Sequence, residues 1–297
     1  MELRALRAFV EVVRQGGFSQ AAKTVFATQS TISKAVKQLE EEVGVPLLDR
    51  IGHRSKLTAA GEIVFQRAVR MLTERDDLVA ELGELRGLKR GTLRLGLPPV
   101  GSSILFAPLF AIYRNRYPGV DIRLFEYGGE RLEEVLLSGE IELAASLHPI
   151  SDGFEWQDVR RGPLVALLPA GHELAERHSV DIRALQHMPF ILFETGFALN
   201  RVILDACRRG GFEPTVSARS SQIDFIIELA AAGLGVAFLP QVIAERRKHS
   251  AVNYVLLADA HAEWHIALIW RRGGYLSHAA RAWLELAREV PREPGRS

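Results

Sequence analysis

Residues 17–61, GFSQAAKTVFATQSTISKAVKQLEEEVGVPLLDRIGHRSKLTAAG, decide how this chain is read. Ser19, after Gly16-Gly17-Phe18, predicts the N-cap of a short helix through Phe26, and Thr28 predicts a second cap. From there Ile32, Val36, Leu39 and Val43 recur at helical spacing, so a helix to Val43 carries one apolar stripe. Gly44 and Pro46 supply its stop. The opposite face shows Ser30, Ser33, Lys34, Lys37 and Gln38, donors with the reach and charge to meet phosphates and base edges. Arg50-Ile51-Gly52-His53-Arg54-Ser55-Lys56 then reads as a short basic ribbon turning at Gly52. A polar helix face or a basic hairpin alone is ordinary solvated surface. The order helix, tight turn, helix, basic ribbon is what a winged helix-turn-helix needs to dock on duplex DNA. The expected contacts are Thr28, Gln29, Ser30, Thr31, Ser33, Lys34, Lys37 and Gln38 from the second helix, with Arg50, Arg54 and Lys56 from the wing.

Upstream, MELRALRAFVEVVRQ interrupts its apolar residues with acids and arginines, which excludes a signal peptide and a membrane span. Its Leu3, Leu6, Val10 and Val13 predict a helix packed under the DNA-reading segment. With no later uncharged stretch of membrane length, a cytoplasmic location is expected. Cys207 is the only cysteine, so an intrachain disulfide, a cysteine knuckle and a two-cysteine redox switch within one chain are excluded. Charge is nearly balanced overall, 37 basic against 36 acidic residues, which would argue against nucleic acid if it were evenly spread. Residues 1–58 instead hold 9 Lys and Arg against 6 Asp and Glu, net +3. The excess is modest, so specific contacts and dimerisation must supplement the electrostatic term.

Ala21-Ala22, Gln29, Ser33, the run Gln38 to Arg50 (QLEEEVGVPLLDR) and Leu57-Thr58-Ala59-Ala60-Gly61 resemble the N-terminus of LysR-type transcriptional regulators. The resemblance covers the first third of the chain. It implies an all-α winged helix-turn-helix (1–58), a long dimerising linker helix (59–90), and a two-lobed α/β effector domain of the periplasmic-binding-protein type (91–297). Three positions depart from the family pattern: Ser30 stands where Pro is frequent, Lys34 where Arg is frequent, and Asp49 where Glu is usual. Lys34 meets DNA as a point charge rather than a bidentate fork.

Thr58 predicts the cap of a long helix to about Leu88, in which Val64, Ala68, Met71, Leu78, Leu82 and Leu85 form a seam broken at Arg75. Such a seam calls for a partner helix, so a dimer is expected, and the family resemblance implies pairs of dimers forming a tetramer on an imperfect palindrome. From Thr92 the pattern changes: TLRLGL, a helix over 104–117, DIRLFEY, a helix over 131–138 and IELAASL imply a parallel sheet. PLVALLP, FILFET, a helix over 200–209, TVSARS, a helix over 223–232 and GVAFLP follow, then IALIWRR and a helix over 277–290. The implied lobes are 92–162 with 267–297, and 163–266.

Ligands of open α/β sheets sit beyond the carboxyl ends of strands, where loops lead into helices. That rule selects Val100, Gly101, Ser102, Ser103, Gly128, Gly129, His148, Thr195, Phe197 and Gln222 as candidate effector contacts, and the family resemblance puts the Ser102-Ser103 and Thr195 loops foremost. A small organic acid held by helix-end N–H groups fits the GLPPVGSS opening. His261 and His265 lie four apart, but the Glu of an HExxH motif is misplaced and the stretch reads as loop entering strand, so no metal is expected. No nucleophile elbow, phosphate loop or paired-carboxylate signature is present, and neither catalysis nor a cofactor is expected. A solute-binding protein would share the lobes but not residues 17–61, and an enzyme with a regulatory N-terminus would need a turnover signal.

Overall fold

The computed structural model describes residues 1–51, 54–85, 91–259 and 261–289. It divides into two compact units, Met1–Leu88 with Leu137–Glu140, and Lys89–Leu136 with Ile141–Ser297.

The first unit contains α1 (Leu3–Arg14), α2 (Phe18–Thr24), α3 (Gln29–Val43), a hairpin of β1 (Leu48–Ile51) and β2 (Arg54–Leu57), and α4 (Ala59–Leu85). In α3, Ile32, Val36 and Leu39 are buried, and side chains of that size stabilise by about 1.5–3 kcal/mol each. Thr28 Oγ1 accepts the Thr31 N–H at 3.2 Å, a cap worth about 1 kcal/mol, and Gly44 ends the helix at φ 76°. Three sequence expectations need correction. Ser19 is not a cap: Gly17 precedes α2, the Ser19 hydroxyl donates to Gln29 Oε1 at 3.1 Å, and the helix stops at Thr24 before Phe26 turns to φ 53°. In α1 the buried face is Ala5, Leu6, Ala8, Phe9, Val10 and Val12, while Leu3 stays exposed. The α4 stripe is split rather than continuous. Val64 and Ala68, joined by Val69 and Leu72, pack into the core of α1–α3, whereas Met71, Leu78 and Leu82 are 43%, 56% and 48% exposed. The first turns of α4 are thus consumed by their own chain, which lies against α1. The Leu85 side chain, Gly52 and Leu88 lie outside the described residues.

Thr58 caps α4 as expected, accepting the Gly61 N–H at 2.9 Å and donating to the Pro46 carbonyl at 2.9 Å. Gly61 is required there, because a Cβ would stand 2.0 Å from the Leu47 carbonyl oxygen.

The second unit opens with β3 (Gly91–Leu97), α5 (Ser102–Leu105), α6 (Ala107–Arg116), β4 (Val120–Glu126), α7 (Gly129–Leu137) and β5 (Leu143–Leu147). The expected single helix over 104–117 is two, because Pro108, lacking an N–H, sits in the first turn of α6. There follow β6 (Phe154–Pro169), β7 (Ser179–Val180), a 3-10 turn (Ile182–Leu185), β8 (Phe190–Phe193), α8 (Ala198–Arg209), β9 (Val216–Ser220) and α9 (Ile223–Ala231). The chain closes with β10 (Ala237–Pro240), α10 (Gln241–Ala244), β11 (Val252–Leu257), β12 (Glu263–Arg271) and α11 (His278–Glu289). β4, β3 and β5 are parallel, in that order, and β12 adds antiparallel beside β5. The long strand β6 changes partners along its length: Phe154 to Pro163 pair with β12, and Leu164 to Pro169 pair with β10 and β11. β8 and β9 form a parallel pair linked to the rest through Phe190 and Val236. Sequence reading missed β11, although Tyr254 to Leu257 form a short apolar run, and the first half of β6, where charged and polar residues interrupt the apolar ones. It also started the return to the first strands at 267, although β12 pairs with β6 from Glu263 and with β5 from Ile266. Trp264 and Trp283 are fully buried here, and the Tyr113 hydroxyl donates to the Ala279 carbonyl at 2.8 Å, tying α6 to α11.

Candidate nucleic-acid interface and effector cleft

The burial of Ile32, Val36 and Leu39 turns the other side of α3 outward. Thr28, Gln29, Ser30, Thr31, Lys34, Lys37 and Gln38 are exposed and Ser33 is half-buried. The hydroxyls at the helix start form one local network, Thr28 Oγ1 lying 2.9 Å from Ser30 Oγ and 2.8 Å from Thr31 Oγ1. Lys37 spends part of its charge on Glu41 at 3.5 Å. On the other side Glu40 accepts the N–H groups of Leu47 and Leu48 and fixes the entry into the hairpin. In that hairpin Asp49 pairs with Lys56 and Arg50 with Ser55, and Lys56 is exposed. The side chains of Arg50 and Arg54 lie outside the described residues. The α3 face is therefore a contiguous polar surface at a helix N-terminus, flanked by a ribbon, suited to a groove of DNA.

In the second unit the ends of β3, β4 and β5 meet α8 across a small cleft of about 20 Å³, lined by Pro98, Val100, Gly129, Ala145, Ser146, Leu147, Phe197, Ala198, Leu199 and Trp264. Of the expected effector residues, Val100, Gly129 and Phe197 line this cleft. The others are placed differently. The Ser102 hydroxyl is donated to the Pro98 carbonyl, within its own loop, and α5 is a single turn without a side-chain cap. Ser103 is exposed. Gly101, at φ 93°, packs on Trp264, where a Cβ would come within 2.6 Å of the indole. Gly128 and Gly129 serve close packing: Cβ atoms there would lie 2.9 Å from the Gly196 carbonyl and 3.0 Å from the Ala198 methyl. Thr195 and Gln222 are exposed at the starts of α8 and α9 and do not line the cleft. Phe197 is fixed by stacking on Phe193, centroids 5.3 Å apart and 10° from parallel.

Three cleft features escaped the sequence reading. Trp264 lies in the stretch taken for loop, although its inward place follows from the alternation Trp264, Ile266 and Leu268 in β12. Arg201, one turn after Phe197, donates to the Leu147 carbonyl at 3.0 Å and brings a guanidinium to the cleft edge. His148 joins Asp158 and His265: both Nε2 atoms meet the same Asp158 oxygen, at 3.0 and 2.9 Å, and the rings stack at 3.9 Å. Burial works against an ionised Asp158, but the hydrogen bonds and charges of the two histidines hold its carboxyl below the ordinary range. Burial and the neighbouring His148 push His265 down, with Asp158 pulling the other way.

Residues 3–62 match the family described as bacterial regulatory helix-turn-helix protein, lysR family, and residues 86–292 match the LysR substrate binding domain. The chain is 34% identical over 286 residues, 96% of its length and 95% of the relative's, to the uncharacterised HTH-type transcriptional regulator YwbI of Bacillus subtilis. It is 32% identical to the regulator AlsR of the same organism over 90% of each chain. Among solved structures it resembles a single-residue variant of full-length OxyR from Pseudomonas aeruginosa (23% identity, 97% and 95% of the two chains, TM-score 0.76). It also resembles full-length CbnR complexed with its target DNA (21%, 97% and 99%, TM-score 0.67). With family matches over both units and a relative alike from end to end, the chain belongs to the LysR family: it is a DNA-binding transcriptional regulator with an effector-binding domain, not an enzyme.

Proposed function

We propose that the regulator reads an imperfect palindrome through α3 and the hairpin, and that a small organic acid bound between two lobes of the second unit changes that reading. The proposed bounds are 1–58 for the DNA-binding domain, 59–90 for the linker and 91–297 for the effector domain. The change of partners in β6 between Pro163 and Leu164 supports a lobe boundary there. The observation that carries the effector site is the convergence of Val100 and Gly129 from one lobe with Phe197 from the other around one cleft. About 20 Å³ holds roughly one water, so a carboxylic acid enters only when the Gly128-Gly129 loop parts from Gly196 to Ala198. Arg201, bound to the Leu147 carbonyl at the edge, then offers its guanidinium to an entering carboxylate. A bound ligand shifts the two forms by no more than its difference in affinity for them.

A homo-oligomer is supported by α4, whose Met71, Leu78, Val79 and Leu82 are exposed, and by a groove of about 620 Å³ in which Leu3, Ala8, Phe26 and Ile32 alternate with Arg4, Arg7 and Arg75. Phe26 itself is 98% exposed at its rim. Exposed apolar surface of this kind marks an interface.

A thermal-shift screen of metabolites, followed by fluorescence anisotropy with the chain's own upstream DNA, tests the reading. A carboxylic acid that raises the melting temperature and alters affinity for that DNA, but not for random duplex, is the expected result. A hit set without acids overturns the ligand class, and equal affinity for upstream and random DNA overturns sequence-specific reading.

A further inference from the structure

We propose that His148, Asp158 and His265 form a binding site for one divalent transition metal ion, of the zinc, cobalt or nickel type. The three residues come from adjacent strands: His148 directly follows β5, His265 lies in β12, and Asp158 lies in β6 on the other side of β12. The His148 N–H donates to the His265 carbonyl at 3.0 Å, which fixes the two histidines as lateral neighbours with stacked rings. A register shift between Ile266 and Ala267, where Ala267 faces Asp158, brings the carboxylate up beside them. All three ligand atoms lie within 4.8 Å of one another.

The chemistry of the cluster fits a metal better than a plain hydrogen-bonded trio. Two Nε2 atoms converge on a single carboxylate oxygen, a concentration of donor atoms that a single cation satisfies at once. Metal–nitrogen and metal–oxygen bonds of about 2.0–2.2 Å place tetrahedral ligands about 3.3 Å apart. The present separations of 3.0 and 2.9 Å need open by only a few tenths of an ångström. Two imidazoles and a carboxylate, without thiolate, suit zinc, cobalt or nickel rather than calcium or magnesium. Binding uses the Nε2 lone pairs: the Nε2 protons now donated to Asp158 move to Nδ1 as the ion enters, so the rings stay neutral and neither loses its proton. The side chains are 23%, 48% and 26% exposed for His148, Asp158 and His265, which leaves a path for entry and a position for water. Arg161, whose charge also acts on His265, is paired with Glu263. His261 takes no part: its backbone N–H bonds Asp259, and it is absent from the cluster.

The test uses the full-length chain stripped with a chelator and titrated with Co²⁺, read by visible absorption, with Zn²⁺ as competitor. One equivalent should bind, and X-ray absorption of the bound cobalt should count two imidazoles. Loss of a partner even outside a coordination sphere costs roughly tenfold or more in affinity. His148→Gln, His265→Gln and Asp158→Asn should therefore each weaken binding at least that much, while His261→Gln binds as the parent does. No uptake by the parent chain at millimolar Co²⁺ overturns the site. So does a spectrum with fewer than two imidazoles, which decides the matter even if a variant fails to fold, and so does binding that survives His148→Gln but is lost in His261→Gln.

Discussion

At the scale of single residues, the fold depends on contacts whose partners are distant in sequence. Gly61 shows this most sharply: α4 begins so close to the Leu47 carbonyl that any side chain collides with backbone. Gly61→Ala should lower stability by about 1–3 kcal/mol, the usual cost of overpacking, read as a drop in the melting temperature of the first unit. A melting temperature equal to the parent's would show that the start of α4 yields instead. Cys207 makes the opposite point. Its thiol is fully buried in α8, and burial pushes its pKa up to about 11, so thiolate is scarce at neutral pH. A thiol reagent at pH 8 should label the native chain far more slowly than the unfolded one, and prompt labelling of native protein would refute the assignment. The caps at Thr28, Thr58 and Gly44 were legible in the sequence because each acts within a few residues of itself. The role of Ser102 was not, because its hydroxyl goes to the carbonyl of Pro98, which a list of residue types does not disclose.

At the scale of elements, amphipathic pattern located α3 and its exposed face, and the basic stretch Arg50 to Lys56 around Gly52 located the hairpin. Lys34→Ala should weaken binding to every duplex and flatten the dependence of log affinity on log salt by about 0.9, one phosphate contact. An unchanged slope in anisotropy titrations would remove Lys34 from the interface. For α4 the periodicity was legible but its meaning was not, since one spacing serves two surfaces: Val64 and Ala68 face their own core and Leu78 and Leu82 do not. A helix pattern states which residues are apolar, not which of two partners each meets. Leu78→Glu with Leu82→Glu should reduce the mass seen by light scattering to that of one chain without unfolding the first unit. An unchanged mass places the oligomer contact elsewhere. Among the strands, runs such as FILF and LAASL announced themselves by being buried on both faces, whereas the start of β6 mixes charged with apolar residues and the short YVLL run of β11 was passed over.

At the scale of the whole molecule, the cleft was legible as a set of strand ends but not as a volume. Three of its lining residues were found from topology, and its narrowness was not, because it comes from two glycines pressed on the start of α8. Ala198→Phe fills the remaining space. It should abolish any effector-dependent change in DNA affinity and leave the affinity without effector near the parent's, and a response that survives would put the effector outside this cleft. The strand pair beneath the cleft has a mechanical consequence. β6 and β12 stay hydrogen-bonded from Phe154 to Pro163 with one register shift, and β6 then runs on without a break into the pairing with β10 and β11. A register shift of this kind bends a strand and increases its local twist. On the proposed effector reading, opening of the cleft is a twist along β6 about the point between Pro163 and Leu164 where it exchanges β12 for β10 and β11.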